Sequence, residues 1–472
     1  MTIVTILEYL TLLAGFYMAW NIGANDVANA MGTSVGSRAL TLKKAVILAA
    51  ILEFAGSVLV GGHVSETIQK GIVNPEIFQS TPMIFIIGML GALIATGIWL
   101  NLASYLALPV STTHAIVGAV LGFGMIIGGM DAVHWDEMGQ IVLSWILSPL
   151  MSGIISYLLF NILQKKIFFA LNPMQATRKL APYLVFACIT ILTLSVLFQG
   201  LANLHLILSF PKALLFSLVI GLIAALLANF LLSRIPITAY EISAYSPHYE
   251  ISLEKAIKHL QRIELSSSEE MHKEVSEIVQ RVQMLSNRVK SHSEQQEHRN
   301  SPFSSVEKVF VYLQIMSACL VAFAHGANDV ANAIGPVAGV LQVLQTQMVS
   351  QQSSIPFWLL IMGGAGIVLG LATWGWRVIE TIGKKITELT PTRGFCAEFG
   401  AAATILLASK LGMPISTTHA LVGAVLGVGL ARGLQALNLK ILREIVLSWI
   451  ITIPICAILS ILVFYALKAI FI

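Results

Sequence analysis

The chain has 472 residues, 56% of them hydrophobic and only 11% charged, where soluble domains carry roughly a quarter charged residues. Soluble domains of this total length would need far more charge to stay dissolved, and 28 Lys+Arg against 24 Asp+Glu leave no global basic field for nucleic acid. An ordinary soluble enzyme and a disordered chain are excluded, and an all-α polytopic membrane protein is expected.

A transmembrane helix needs about 20 apolar residues. Apolar segments fall near 4–36, 45–62, 82–108, 109–130, 139–163, 181–200, 211–233, 306–335, 356–376, 395–411, 414–431 and 444–467, about twelve in all. The first and the eighth are too long and too polar in the middle for straight helices, so broken helices are expected there. Segments 395–411 and 414–431 are short and meet at a single Pro. The N-terminus is apolar but lacks a basic n-region and a small-residue cleavage site, and reads as a retained first helix. Cys188, Cys319, Cys396 and Cys456 lie in or beside apolar stretches without metal-ligand spacing, and read as small core residues.

The chain also repeats itself. GANDVANAMG at 23–32 returns as GANDVANAIG at 326–335, LPVSTTHAIVGAVLG at 108–122 as MPISTTHALVGAVLG at 413–427, and IVLSWI at 141–146 at 445–450. The nearly constant offset marks a duplication. Residues 1–233 are read as a transmembrane region holding the first copy, 234–305 as a cytoplasmic helical insert, and 306–472 as a transmembrane region holding the second.

Lys and Arg accumulate on cytoplasmic loops. After the first motif, copy one carries Arg38, Lys43 and Lys44, while the matching loop of copy two has no Lys or Arg. The next loop reverses this, with Lys70 alone against Arg377, Lys384, Lys385 and Arg393. After the STTH segment, copy one has Asp131, Asp136 and Glu137, and copy two has Arg432, Lys440 and Arg443. Matching loops are therefore expected on opposite sides, which makes the copies inverted-topology repeats, a pattern of secondary transporters. The same rule puts Lys165, Lys166, Arg178, Lys179 and the insert inside and both termini outside, in a bacterial inner (plasma) membrane. Residues 241–308 alone hold 9 of the basic and 11 of the acidic residues. There Ile278, Val282, Leu285 and Val289 form one helical stripe and Ile257, Leu260 and Ile263 hint at another, predicting a helical hairpin. The flanks SSSEE and SHSEQQEHRNSP read as flexible links.

Some residues do not belong in lipid. Asn25, Asp26 and Asn29, with their copies Asn328, Asp329 and Asn332, sit inside apolar regions, where a carboxylate costs several kcal/mol unless paired or coordinated. Gly23 and Gly326 just ahead would let the backbone unwind, so that freed carbonyls join the Asp and Asn oxygens around a hard cation. Ser111, Thr112, Thr113 and His114, and Ser416, Thr417, Thr418 and His419, each follow a proline and precede an apolar helix. Such an N-terminus, with free N–H groups and hydroxyls, is an anion cradle as well as a cap. The two histidines fit anion donors or packing residues equally. Glu53 and Glu398 are lone carboxylates in apolar stretches and are not repeat-mates. With no Lys or Arg in either motif, an oxyanion at this site would meet carboxylates, so cations or protons must bind with it.

At GANDVANAMGTSVGS, HGANDVANAIGP, PVSTTHAIVGAVLG, RGFCAEFGAA and PISTTHALVGAVLG, the chain resembles the inorganic phosphate transporter (PiT) family, over essentially everything but the insert. The resemblance implies a symporter of inorganic phosphate with sodium or protons, no cofactor, and no metal beyond sodium. It also implies that Glu53 and Glu398 are needed for phosphate transport. The composite expectation is alternating access, with phosphate held by Ser111, Thr112, Thr113, Ser416, Thr417 and Thr418 together with Glu53 and Glu398. Coupling cations are held by Asn25, Asp26, Asn29, Asn328, Asp329 and Asn332, and the STTH segments turn back in the membrane as re-entrant hairpins. A homo-oligomer, another oxyanion such as sulfate, and a passive anion channel stay open. A membrane enzyme is disfavoured because both STTH copies are kept.

Overall fold

A computed structural model describes residues 2–62, 72–197, 208–234, 247–266, 269–296, 302–349, 355–376, 378–379, 388–433, 435 and 437–472. The predicted apolar segments all fall on α-helices: α1 (Ile3–Gly36), α2 (Leu42–Val60), α3 (Pro82–Tyr105), α4 (Thr112–Gly128), α5 (Trp135–Leu163), α6 (Pro173–Ser195), α7 (Phe210–Ser233), α10 (Pro302–Thr346), α11 (Phe357–Trp374), α12 (Pro391–Lys410), α13 (Thr417–Arg432) and α14 (Leu439–Phe471). Between α7 and α10 lie α8 (Pro247–Ser266) and α9 (Glu269–Gln296).

Among the described residues, eight of the helices on these twelve segments are long and apolar enough to cross a membrane: α1, α3, α5, α6, α7, α10, α11 and α14. Helices α4 and α13 have 17 and 16 residues, or about 25 Å at 1.5 Å per residue, short of the ~30 Å hydrocarbon core. Helix α2 carries Lys43, Lys44 and Glu53, and α12 carries Arg393, Glu398 and Lys410.

The expected breaks at the two GAND motifs do not occur. Helix α1 runs unbroken through 34 residues and α10 through 45, so the backbone is not unwound at either motif. The glycines serve close packing instead. A Cβ on Gly23 would collide with the carbonyl oxygen of Ile367 on α11, and one on Gly326 with that of Glu53 on α2. Small residues let apolar helices approach to backbone contact, where dispersion and polar contacts replace the missing hydrophobic drive. The STTH helices use the same device: Gly118 and Gly122 of α4 lie against Ile453 and Ala457 of α14, and Gly423 and Gly427 of α13 against Pro149 and Gly153 of α5.

The chain does break ahead of each STTH motif. Helices α3 and α4 are joined by a tight turn in which Leu108 N–H donates to the Ala103 carbonyl and Ala107 sits at φ 55°. Helices α12 and α13 repeat it, with Met413 N–H on the Ala408 carbonyl and Gly412 at φ 67°. The prolines that follow, Pro109 and Pro414, cannot extend a helix and hold the chain extended up to the cap.

The chain divides into two compact units. One comprises 1–162, 181–228 and 310–472 and contains both motif pairs. The other comprises 163–180 and 229–309. In the second, α8 packs along α9, with Val275, Val279 and Ser286 buried. The expected stripe is displaced: Ile278 and Leu285 are 47% and 49% exposed, because the buried line runs one position further along the helix, through Val279 and Ser286. Residues 291–296, expected as a link, continue α9. The predicted loop charges Lys70, Arg377, Lys384 and Lys385 lie outside the described residues, as do 297–301. Cys188, Cys396 and Cys456 are buried.

Candidate functional site

The two STTH motifs cap their helices as the sequence suggested. Ser111 Oγ accepts the backbone N–H of His114 at 3.1 Å, and Ser416 Oγ that of His419 at 3.2 Å. Helix geometry leaves the first N–H groups without intrahelical acceptors, and the macrodipole makes that end electropositive. The two ends meet. Thr113 Oγ1 donates to the Ile415 carbonyl at 2.9 Å, and Thr418 Oγ1 to the Val110 carbonyl at 3.2 Å. Two electropositive helix ends and six buried hydroxyls therefore converge on one place.

The asparagines tie this place to the GAND helices. Asn25 Nδ2 donates to Ser104 Oγ and the Leu108 carbonyl, both at 3.1 Å, while its Oδ1 accepts Val110 N–H at 3.3 Å. Asn328 Nδ2 reaches Ser409 Oγ at 3.1 Å and the Met413 carbonyl at 3.5 Å. These two asparagines hold the turns ahead of the STTH motifs. Asn29 and Asn332 cross between copies: Asn29 Nδ2 donates to Thr418 Oγ1 at 2.8 Å, and Asn332 Nδ2 to Thr112 and Thr113 Oγ1 at 3.3 and 3.4 Å. Asn29 Oδ1 is buried without a hydrogen-bond partner.

The carboxylates fall into two groups. Asp26 and Asp329 lie beside the hydroxyls, with Thr417 Oγ1 donating to Asp329 Oδ2 at 2.7 Å and Thr112 facing Asp26. Between them sits His325, which sequence reasoning missed. Its Nε2 is 3.0 Å from Asp329 Oδ2 and 3.8 Å from Asp26 Oδ2, and its Nδ1 is 3.3 Å from Glu53 Oε1. All four residues are buried. One ligand atom each from Asp26, His325 and Asp329 lies within 4.8 Å of the others, a spacing that suits a single cation. The signal that could have found His325 is asymmetry between the copies, since the residue preceding Gly23 is Ile22 and the one preceding Gly326 is His325.

Glu398 stands in a second setting. Its Oε1 accepts from Thr33 Oγ1 at 2.5 Å, Ser34 Oγ at 2.7 Å and Gln314 Nε2 at 3.2 Å, and its Oε2 from Ser317 Oγ at 2.6 Å. Glu53 and Glu398 are thus in different environments, one facing an imidazole and the other collecting four neutral donors. The copies explain why they are not mates. Gly23 lies on Ile367 as Gly326 lies on Glu53, so Ile367 occupies the place in one pair that Glu53 occupies in the other. Neither glutamate touches the STTH hydroxyls in any hydrogen bond of the described residues.

His114 and His419 lie just behind the cradle, and their rings turn towards two tryptophans. The ring centroids of His114 and Trp145 are 3.8 Å apart, those of His114 and His419 4.4 Å, and those of His419 and Trp449 3.6 Å. Each histidine Nδ1 faces a main-chain carbonyl of the other copy's tryptophan.

Residues 22–460 match the family model described as "Phosphate transporter family". A chain of Chlamydia pneumoniae, provisionally named a phosphate permease, is 47% identical over 464 residues, covering 98% of each chain. Inorganic phosphate transporter 2-1, chloroplastic, of Arabidopsis thaliana is 44% identical over 459 residues, 97% of this chain and 71% of that one. A solved structure described as the sodium-dependent phosphate transporter matches with a TM-score of 0.80 at 37% identity, covering 98% of this chain and 100% of the other.

Proposed function

The chain belongs to the phosphate transporter family and is a phosphate transporter of the multi-pass membrane class, and from that premise we propose that it is a sodium-coupled phosphate symporter working by alternating access between inverted halves. Phosphate lies between the N-termini of α4 and α13, against the hydroxyls of Ser111, Thr112, Thr113, Ser416, Thr417 and Thr418 and the first-turn N–H groups. The observation that carries this reading is the meeting of those two helix ends through Thr113 and Thr418, with Asp26 and Asp329 immediately beside them.

Charge then dictates the coupling. Asp26, Glu53 and Asp329 surround a single imidazole, which can balance at most one of them, and phosphate adds further negative charge. In a low-dielectric interior such an excess is untenable without cations. Sodium ions held by Asp26 and Asp329, with the open Oδ1 of Asn29, supply that balance. Asn25 and Asn328 act on the hairpin turns, and Asn332 on the Thr112 and Thr113 hydroxyls. The solved relative named for its sodium dependence supports sodium over protons as the coupling ion.

The inverted arrangement is supported by the alternating Lys and Arg of matched loops and by the paired glycine contacts at Gly23 and Gly326. On this reading the hairpins α3–α4 and α12–α13 enter from opposite sides and meet near the midplane, as their short second helices allow. The membrane is the bacterial inner membrane, with residues 234–305 cytoplasmic. Labelled phosphate uptake by proteoliposomes, with sodium and proton gradients imposed separately, tests the function. Accumulation driven by sodium and lost in Asp26→Asn and Asp329→Asn is expected. Uptake that merely equilibrates phosphate and ignores both gradients would leave a passive channel.

A further inference from the structure

We propose that His419 is a positioning residue that sets the anion cradle by hydrogen-bonding across the copies to the carbonyl of Trp145, an acceptor that Pro149 releases from its helix. The proposal rests on the phosphate reading of the STTH site given above.

In an α-helix the carbonyl of residue i accepts the N–H of residue i+4. Position i+4 from Trp145 on α5 is Pro149, which has no N–H. The Trp145 carbonyl is therefore free of the helical ladder, and a buried carbonyl without a partner is costly. His419 Nδ1 lies 3.2 Å from it. A carbonyl only accepts, so Nδ1 carries the hydrogen and the ring needs no charge to make the bond. The second copy lacks this device. Its helix proline, Pro454, follows Trp449 by five residues instead of four, so the Trp449 carbonyl keeps its helical partner, the N–H of Ile453. His114 Nδ1 accordingly stands 3.5 Å from it, at the limit of a hydrogen bond. One link is closer and the other longer, for a reason written in the placement of the prolines.

The closer link acts on the cradle directly. His419 is the third residue of α13, and its own N–H is the one capped by Ser416. Its imidazole is clamped between the ring of Trp449 at 3.6 Å and that of His114 at 4.4 Å. A short side chain held by a stack and one hydrogen bond leaves Thr417 and Thr418, its neighbours in the first turn, little freedom to rotate. The same face of α5 also holds α13 through Ser152 Oγ, which donates to the Ala420 carbonyl at 2.6 Å. In this role His419 orients the groups that hold the anion.

Phosphate uptake by proteoliposomes of the full chain reads this. His419→Phe keeps an aromatic ring and removes the donor. Pro149→Ala returns an N–H that draws the Trp145 carbonyl back into the helix. Each is expected to raise the phosphate KM about fivefold, the worth of one neutral hydrogen bond, with the maximal rate within about twofold. The double variant is expected to match His419→Phe alone, because both changes break one bond. His419→Asn, which keeps an N–H near the position of Nδ1, is expected to restore most of the affinity, and His114→Phe to change KM by less than about twofold. A wild-type KM in both His419→Phe and Pro149→Ala, or fully additive effects in the double variant, overturns the positioning role while leaving phosphate transport intact. A wild-type protein that accumulates no phosphate overturns the functional reading itself, and this inference with it.

Discussion

Asn29 on α1 donates to Thr418 at the N-terminus of α13 at 2.8 Å, across 389 positions of sequence. The GAND motif of one copy thereby holds the STTH motif of the other. Asn332 repeats the link in the opposite sense, with longer bonds to Thr112 and Thr113. On the proposed assignment, a cation held by Asp26 and Asn29 Oδ1 would be one side chain away from an anion on Thr418. Coupling of this kind is mutual: whatever one ligand gains from the other is returned by the same factor.

Asn29→Ala removes the bridge and leaves the Thr418 hydroxyl without its donor. The phosphate KM is expected to rise about tenfold, and the sodium concentration for half-maximal uptake to rise with it. Asn332→Ala, whose bonds are longer, is expected to give a smaller effect. Uptake measured over a grid of sodium and phosphate concentrations checks both. A change in one ligand's apparent affinity without the other would separate the sites.

His325 and Glu53 form a buried pair, with no hydroxyl or amide among the described residues donating to either carboxylate oxygen of Glu53. Removing one partner of such a pair strands the other and costs about 3–5 kcal/mol, whereas removing both is far milder. His325→Leu takes the shared imidazole from Asp26, Glu53 and Asp329 together and is expected to lower the thermal unfolding midpoint sharply, while adding Glu53→Leu relieves one of the three carboxylates and is expected to recover part of the loss. Scanning fluorimetry in detergent reads this, and an equal loss in single and double variants would deny that the two side chains compensate one another.

Glu398 collects donors from Thr33, Ser34, Gln314 and Ser317. Glu398→Gln keeps the shape but turns an NH₂ group towards hydroxyls and amides that need acceptors. A loss of about 2–3 kcal/mol is expected, against about 1 kcal/mol for Ser317→Ala, which deletes a single donor. Thermal unfolding of the purified variants checks the order.

Gly326→Ala places a methyl group against the Glu53 carbonyl, and Gly23→Ala against that of Ile367. Backbone cannot yield as a side-chain tip can, so each helix pair must separate. Both variants are expected to lose most of the folded protein, seen as aggregation in size-exclusion chromatography. Gly139→Ala on α5, where nothing stands within 4 Å, is the matched control and is expected to behave as wild type.

Sodium and phosphate together are expected to raise the unfolding midpoint more than the sum of either alone. At about a hundredfold the dissociation constant a ligand adds about 2.7 kcal/mol, and here each ligand tightens the other. Removing sodium should therefore reduce the stabilisation by phosphate.

Much of this molecule is legible in one dimension because its motifs are local. An N-cap, a turn and a helical stripe each depend on residues within a few positions, so the STTH caps and the apolar helices follow from spacing alone. The alternation of Lys and Arg carries a topology proposal of the same one-dimensional kind, since it depends only on which loop carries charge. The unwinding expected at the GAND motifs did not occur, because Asn25 and Asn29 find their partners on other helices and the backbone need not open to supply them. Nothing near position 25 announces Ser104, nor anything near 29, Thr418.

The charge count ends in the same division. Sequence alone determined that 11% of the residues are charged, that most of them are gathered in loops and the insert, and that Asp26, Glu53, Asp329 and Glu398 remain stranded in apolar helices. Only the tertiary structure decided how those four are shared out: three around His325 and one among four neutral donors. Burial makes each carboxylate dependent on whichever donors or charges lie within a few ångströms, and those neighbours come from helices hundreds of residues apart.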